Sequence, residues 1–173
     1  MNKAVFCIAK DFDQTELIVS QLKAASFSNS DISVLFPDKS STQDFAHEKH
    51  TKAPEGAAIG GLAGISVGAA LGWLAGIGTL AIPGVGPLIA AGPIMGALSG
   101  AAVGAATGSL TGALVGLGIP EYEAKRYEGK IKGGNALISV HTESSEARSK
   151  AKEIFENAHA EDISSTGEAG VSA

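Results

Sequence analysis

The sequence predicts an α+β protein in which a split β-α-β domain carries a long uncharged insertion. Three observations lead to this fold class. Two short β-α-β patterns lie near the two ends of the 173-residue chain. No charged residue occurs between Gly56 and Pro120, and within this run glycine recurs at every fourth position along two segments. Two β-α-β units that fold together give a ferredoxin-like domain, a four-stranded antiparallel sheet with two helices on one face.

The first β-α-β pattern occupies the N-terminal part of the chain. Residues 3–9 are a short apolar run typical of a strand. Asp13 and Glu16 resemble a capping box, and apolar residues at helical spacing follow, so a helix is predicted over 14–26. A second strand is predicted over 31–36, where the next apolar run ends at a proline.

The second pattern repeats this arrangement near the C-terminus. Residues 135–141 are typical of a strand, a Ser-Ser pair that can cap a helix follows at 144–145, and 160–165 supply a last strand. Both units contain the tripeptide Asp-Ile-Ser, at 31–33 and at 162–164. This local repeat indicates a duplicated unit.

These patterns define the predicted domain boundaries. A discontinuous ferredoxin-like domain is formed by residues 1–40 and 133–167, and a flexible tail follows at 168–173. Between the two halves lie a glycine-rich apolar helical hairpin, 53–120, and a polar linker helix, 121–132.

The glycine spacing is the main evidence for the helical hairpin, with arms at about 55–82 and 92–119. Glycine inside a helix costs roughly 1 kcal/mol relative to alanine. Close backbone approach between helices offsets that cost, above all in lipid. The four-residue spacing begins at Gly56, and the predicted helix-packing glycines are Gly60, Gly64, Gly68, Gly72, Gly76, Gly92, Gly96, Gly100, Gly104, Gly108, Gly112 and Gly116. The turn between the arms is predicted at Pro83, Gly84, Gly86 and Pro87.

The surroundings of the hairpin are open to two interpretations. Each arm would be about 39 Å long as a helix, enough to cross a bilayer core of about 30 Å. Basic residues flank the hairpin and are missing from its tip, which places both termini in the cytoplasm. The alternative is a soluble, self-assembled bundle with the glycine helices as its packed interior.

Several residues are candidates for the membrane interface. Amphipathic rings and cations near the ends of the arms suit lipid headgroups. They are Trp73, Lys49, Lys52, Tyr122, Lys125, Arg126 and Tyr127. Two alternatives stay open: Trp73 fills space among small residues, and the helix at 121–132 is a solvated linker with a Glu121–Lys125 pair.

Other functional classes find little support in the sequence. The net charge of -5 argues against a nucleic-acid partner. His47 and His50 do not complete the HExxH zinc pattern, and there is neither a nucleophile elbow nor a phosphate loop. The single cysteine, Cys7, lies in an apolar run and suits a buried strand. We therefore predict no catalytic residues, no metal and no cofactor, and the sequence does not identify a small-molecule ligand.

Three segments carry a resemblance to a known family. They read TKAPEGAAIGG, GIGTLAIPGVGPLIAAGPI and GLGIPEYEAKRYEGKIKGGNALISVHT. In them the chain resembles small bacterial general stress or heat-induced stress proteins, which have a glycine-zipper middle and an α/β frame. The resemblance implies a role in stress tolerance at or near the membrane, and it implies no reaction.

The functional prediction combines these points. We expect a non-enzymatic, self-assembling stress protein at the cytoplasmic membrane, whose hairpins insert into the bilayer and stabilise or remodel it. Its expected partners are further copies of itself and membrane lipid. A soluble cytoplasmic subunit of a filament, tube or shell is the alternative, as is a pore or channel component.

Overall fold

A computed structural model describes residues 3–37, 78–82, 85–94 and 109–167. These residues form six strands and four helices. In chain order the elements are β1 (Lys3–Ala9), α1 (Phe12–Ala24), β2 (Ile32–Pro37), β3 (Gly78–Ile82), β4 (Gly86–Ala91), α2 (Leu110–Gly116), α3 (Glu121–Lys132), β5 (Ala136–Thr142), α4 (Ser145–Asn157) and β6 (Glu161–Gly167).

The strands form one sheet in the order β3-β4-β2-β5-β1-β6, and every neighbouring pair is antiparallel. The predicted mixed α/β class with an antiparallel sheet is therefore confirmed. The four strands of the two β-α-β units lie in the order β6-β1-β5-β2, and their limits fall close to those predicted. Strands β3 and β4, which come from the insertion, extend this sheet on the β2 side.

Helices α1 and α4 are held at their starts by side-chain caps. Asp11 caps α1, because its side chain accepts a hydrogen bond of 2.8 Å from the Gln14 backbone N–H. The predicted start at Asp13 is therefore two residues too late, and Asp13 lies in the first turn. Ser144 caps α4 as predicted, accepting from the Ala147 backbone N–H at 3.0 Å.

The sheet is covered on both faces, whereas helices were predicted on one. Alternate residues of β1 explain this, because both sets are apolar and buried. Val5 and Cys7 point into the core beneath α1 and α4, together with Phe155. Phe6 and Ile8 point into a second core, which α2 and α3 cover. A strand with two apolar faces requires packing partners on each of them.

The predicted hairpin region contains a β-hairpin. Residues 78–82, expected to be the end of the first helical arm, form β3, and the chain returns as β4. Ile82 pairs with Gly86, so this hairpin joins strands instead of helices, and two of the predicted turn residues, Gly86 and Pro87, lie in a strand. Pairing with β2 explains why this segment is a strand. Phe36 and Leu35 pair with Ile89 and Ala90, so the backbone groups of β4 form hydrogen bonds with β2.

The end of the second predicted arm also belongs to the folded domain. Leu110 and Leu114 of α2 are fully buried in the core that α3 shares. Helix α3 has the predicted limits, 121–132, yet it is packed on the sheet through Tyr127 and Ile131 instead of serving as a linker. In the described ranges, no helix is long and apolar enough to cross a membrane.

Many predictions concern residues outside the described ranges. They include the tail at 168–173, the histidines His47 and His50, the interface candidates Lys49, Lys52 and Trp73, the turn residues Pro83 and Gly84, and the glycines Gly56, Gly60, Gly64, Gly68, Gly72, Gly76, Gly96, Gly100, Gly104 and Gly108.

Candidate functional site

The predicted interface residues that the structure describes all lie on α3. This helix follows Pro120 and ends at Gly133, and three residues at helical spacing, Ala124, Tyr127 and Ile131, are buried against the sheet. Its polar residues therefore point away from the sheet or toward the neighbouring strand β6. The polar contacts between α3 and β6 form a cluster, which we call the α3–β6 cluster: Tyr127, Glu123, Arg126, Lys130, Glu161, Asp162 and Ser164.

Tyr127 is the buried centre of the α3–β6 cluster. Its hydroxyl lies 2.7 Å from Ser164 Oγ and 3.1 Å from the Asp162 carbonyl oxygen, and its single proton is shared between these two acceptors, because Ser164 donates to Glu123. Burial raises the pKa of Tyr127 to about 12, against a smaller opposing effect of the Ser164 hydrogen bond. The ring also packs against Phe6, with centroids 6.3 Å apart. Tyr127 is only 1% exposed, so its expected position at lipid headgroups is not found.

Asp162 lies at an irregularity in the edge strand β6. Phe6 pairs with Ser164 and Ile8 with Glu161, so two β6 residues lie opposite Cys7 and form a bulge. Asp162 takes a positive φ of 49°, and its carboxylate binds Arg126 Nη1 at 3.1 Å. The bulge thus directs a backbone carbonyl and a carboxylate at the same helix.

The four cations of α3 each contact a carboxylate. Lys125 binds Glu121 at 2.8 Å, Lys130 binds Glu161 at 2.6 Å, and Lys132 binds Glu128 at 2.7 Å, in addition to the Arg126 pair. The hydrogen bond from Lys130 lowers the pKa of Glu161, and the reciprocal bond raises the pKa of Lys130. Such pairing reduces the net positive field that α3 can offer to an anionic surface.

Tyr122 and Lys125 have the exposure that an interface residue needs. Tyr122 is 64% exposed, its hydroxyl donates to Glu123 Oε1 at 2.9 Å, and that bond raises its pKa. The Arg126 guanidinium lies 5.9 Å from the Tyr122 ring centroid. The exposed Glu121–Lys125 pair is the one expected for a solvated helix, so these residues fit either interpretation.

Glu128 joins α3 to the start of α2. One carboxylate oxygen accepts hydrogen bonds from the backbone N–H of Thr111, at 2.7 Å, and from the Thr111 hydroxyl. Burial acts to raise the pKa of Glu128, but hydrogen bonds from Lys132 and Thr111 outweigh it and hold the pKa below its usual value. The contact fixes the start of α2 against α3.

The described glycines of the predicted stripes have different surroundings. At Gly92, where φ is 82°, a Cβ would lie 2.0 Å from the Ile32 carbonyl oxygen. This glycine permits close backbone packing, although against strand β2 and not against a helix. Gly112 and Gly116 lie in α2, and a Cβ on Gly116 would meet no atom of this chain within 4 Å. Of the predicted turn residues, Gly86 begins β4 and Pro87 follows it in the strand.

The described residues that adjoin the two glycine-rich segments lie on one sheet. Gly78, which follows the first segment, is the first residue of β3 and pairs with Ala90. Ile94, which precedes the second segment, is bonded to Ser33 of β2. Strand β4 lies between these two anchors.

A polar cleft of about 460 Å³ lies elsewhere, between the end of α1 and the start of α4. Asp31, His141, Glu143 and Lys150 are among its lining residues, and the Lys150 ammonium donates to the Ala25 carbonyl oxygen at 3.1 Å. The described residues contain no group of three or more His, Cys, Asp or Glu that could hold a metal ion. Burial raises the pKa of the Cys7 thiol well above its usual value, which disfavours the reactive thiolate.

Comparison with known proteins yields no relative. No protein-family model matches the chain. No curated protein and no solved structure matches it. The fold alone therefore defines the class, a mixed α/β protein with an antiparallel sheet, and the resemblance to stress proteins stays a prediction.

The sequence did not identify the β6 residues that hold α3 in place, although one pattern pointed to them. Asp162 and Ser164 belong to the repeated Asp-Ile-Ser tripeptide, which by itself indicated only a duplicated unit. In the first copy, Ser33 Oγ accepts a hydrogen bond from the Ile94 backbone N–H at 3.1 Å. Both tripeptide serines thus bind residues of the insertion, which the repeat could have suggested.

Proposed function

We propose that this protein is a non-enzymatic, self-associating structural protein, in which the glycine-rich segments 56–77 and 95–108 form the contact between copies. The observation that carries the proposal is that both segments adjoin anchors on the same sheet: Gly78 of β3 follows the first segment, and Ile94, which is bonded to Ser33 of β2, precedes the second. Only β4 lies between β3 and β2, so these anchors are about two strand spacings of roughly 4.8 Å apart across the sheet.

Segments of this composition suit packing between helices. Both lack charge, and both carry glycine at every fourth position. When such segments are helical, backbones approach closely and gain dispersion contacts along their length. The stripe turns about 40° around the helix at each four-residue step, so one partner cannot cover all of it. A contact shared with further copies satisfies this geometry.

The α/β domain supports this role as a rigid base. Ile94, just before the second segment, is buried and bonded to Ser33, and Leu110, just after it, is buried against α3. Glu128 fixes the start of α2 from the side. Both ends of the second segment are therefore held by the same core.

Association with a lipid surface is the second candidate, favoured by the uncharged segments. Pro37 and Gly78, and likewise Ile94 and Ser109, belong to one domain, so any stretch between them that crosses a bilayer must cross it an even number of times. As helices, residues 56–77 would be about 33 Å long and residues 95–108 about 21 Å. Two crossings of a core of about 30 Å exceed both lengths. Contact with lipid would therefore be an insertion from one side, without a full crossing. The family resemblance adds an expected role under stress.

The proposal is tested by a matched pair of substitutions in the second segment. Gly104→Leu places a bulky side chain on the glycine stripe, and Ala102→Leu places the same side chain about 200° away on a helix. We expect wild type and Ala102→Leu to sediment as the same oligomer and Gly104→Leu to dissociate at least tenfold more readily. A monomeric wild type, or equal association of all three proteins, would contradict the proposal.

Flotation with liposomes of neutral and of anionic lipid tests the second candidate. Insertion of uncharged segments predicts co-flotation with both liposome types, since α3 offers little unpaired positive charge. Binding to anionic liposomes alone would indicate attraction to surface charge instead. Cleavage of both termini by protease added outside sealed vesicles is the result expected when the domain stays on the side from which the segments insert.

A further inference from the structure

The two outer strands of the sheet differ in how they are protected from pairing. Strand β6 begins with Glu161 and Asp162, which are bound to α3, and the bulge at Asp162 interrupts its register. Charges and bulges on an edge strand discourage pairing with another chain. The β6 edge therefore carries the usual safeguards.

Strand β3 has none of these features. Its sequence, GTLAI, contains no charge and no proline, and its register with β4 is regular over all five residues. Within the described ranges, β3 pairs only with β4. A regular, uncharged edge strand is a template for a further strand.

The register identifies which backbone groups point outward from β3. Pro87 lies opposite Ala81 and has no N–H to give to the ladder. A proline suits a non-hydrogen-bonded pair, and such pairs alternate with hydrogen-bonded ones along an antiparallel ladder. Leu80 therefore bonds toward β4, and the N–H and C=O groups of Thr79 and Ala81 point to the outer edge.

We propose that the outer edge of β3 pairs antiparallel with β3 of a second copy, about a two-fold axis at Leu80. In this register Thr79 of each copy lies opposite Ala81 of the other. These are the residues with outward backbone groups, so both pairs exchange hydrogen bonds. The two sheets become one continuous antiparallel sheet.

A second copy fits this edge for reasons of charge and symmetry. The whole hairpin from Gly78 to Ala91 is uncharged, so two-fold pairing brings no like charges together. A two-fold contact requires that the same groups pair on both copies. The outward backbone groups of β3 meet this requirement, because those of Thr79 on each copy face those of Ala81 on the other. The contact adds a second surface to the self-association proposed above, and it can be tested separately from the glycine segments.

Matched substitutions on the two outer strands test the proposal. Thr79→Pro removes one outward donor without removing a bond to β4, and Thr79→Lys adds a charge to the edge. Ser165→Lys adds the same charge to the exposed position on β6. We expect both Thr79 variants to weaken dimerisation at least tenfold in sedimentation experiments, and Ser165→Lys to match wild type. Ala81→Pro serves as a second variant, and urea unfolding confirms that each variant is folded.

Amide exchange supplies an independent measurement. We expect protection of the Thr79 and Ala81 amides to increase with protein concentration. Concentration-independent protection would mean that another segment of the same chain covers the edge, and it would overturn the proposal. Unchanged association of folded Thr79→Pro would also overturn it. If Gly104→Leu dissociates while Thr79→Pro does not, the glycine contact is supported and the β3 contact is contradicted. If Thr79→Pro dissociates while Gly104→Leu does not, the β3 contact is supported and the glycine contact is contradicted.

Discussion

The Tyr127 hydroxyl lies 2.7 Å from Ser164 Oγ and so connects a helix of the insertion to the last strand of the domain. Ser164 Oγ in turn donates to Glu123 Oε2 at 3.0 Å, one turn earlier on the same helix. Helix α3 is thereby held against the sheet edge by a short chain of hydrogen bonds. The insertion is part of the core at this point, and substitutions here should act on the stability of the whole domain.

Replacing Tyr127 by phenylalanine should destabilise the protein by about 1 kcal/mol, because it removes the hydrogen bonds of a buried hydroxyl to its partly buried partners, Ser164 and the Asp162 carbonyl oxygen. The free energy of unfolding in urea measures this effect. Tyr122→Phe is the matched control, since Tyr122 is 64% exposed and its hydroxyl bonds to the neighbouring residue Glu123. A control effect as large as that of Tyr127→Phe would contradict the assignment of Tyr127 as the buried centre.

The two tyrosines of the chain should titrate separately. Burial raises the pKa of Tyr127 to about 12, so its phenolate should form only in strongly alkaline solution. Absorbance of the phenolate against pH should show two steps, and Tyr127→Phe should remove the later one. A single step shared by both tyrosines in the folded protein would argue against burial of Tyr127.

Gly92→Ala should be strongly destabilising. A Cβ at this position would lie 2.0 Å from the Ile32 carbonyl oxygen, and φ is 82°. Backbone strain alone costs about 1–2 kcal/mol, and the clash with β2 adds to it. Gly86→Ala is the control, because φ is 89° there but no atom lies within 4 Å of the added Cβ. We expect a thermal melting temperature clearly lower for Gly92→Ala than for Gly86→Ala.

Gly116→Ala should increase the free energy of unfolding of the monomer, in contrast to Gly92→Ala. The residue lies in the last turn of α2, and an added Cβ meets no atom of the chain within 4 Å. Alanine is preferred over glycine in a helix by up to about 1 kcal/mol. An increased free energy of unfolding at protein concentrations too low for association is the expected result. A decrease under these conditions would show that Gly116 makes a contact within the monomer.

Glu128→Gln should reduce the loss of stability in acid. Because the folded-state pKa of Glu128 is below its ordinary value of 4.5, the ionised carboxylate stabilises the fold above that pH. The stabilisation is lost as the pH falls through the lower folded-state pKa. The difference in unfolding free energy between neutral pH and acid should therefore be smaller for Glu128→Gln than for wild type. Glu156→Gln, on the exposed side of α4, should behave like wild type.

Local patterns in the sequence correctly predicted the elements of the two β-α-β units. The apolar run at 3–9 and the cap at Ser144 are signals that depend on neighbouring residues alone. The start of α1 was misplaced because Asp11 and Asp13 both have side chains suited to capping. Only the conformation of the backbone decides which of them accepts the Gln14 N–H.

The insertion was harder to predict because its local signals conflict. Glycine at every fourth position suggested helix through residue 82, but 78–82 are a strand. The deciding interaction is non-local, since β4 pairs with β2 more than fifty positions away in the sequence. The polar pattern of 121–132 predicted its helix but not its partners, because Ser164 and Asp162 reach Tyr127 only in the folded sheet.

The sequence by itself determined that the outer segments form two β-α-β units, since apolar periodicity and caps act over a few residues. It also determined that 56–120 carry no charge. The tertiary structure decided that part of this run joins the sheet and that α3 lies in the core. The reason is that β1 and its neighbours bury apolar side chains on both faces, and only the fold shows which distant segment covers each one.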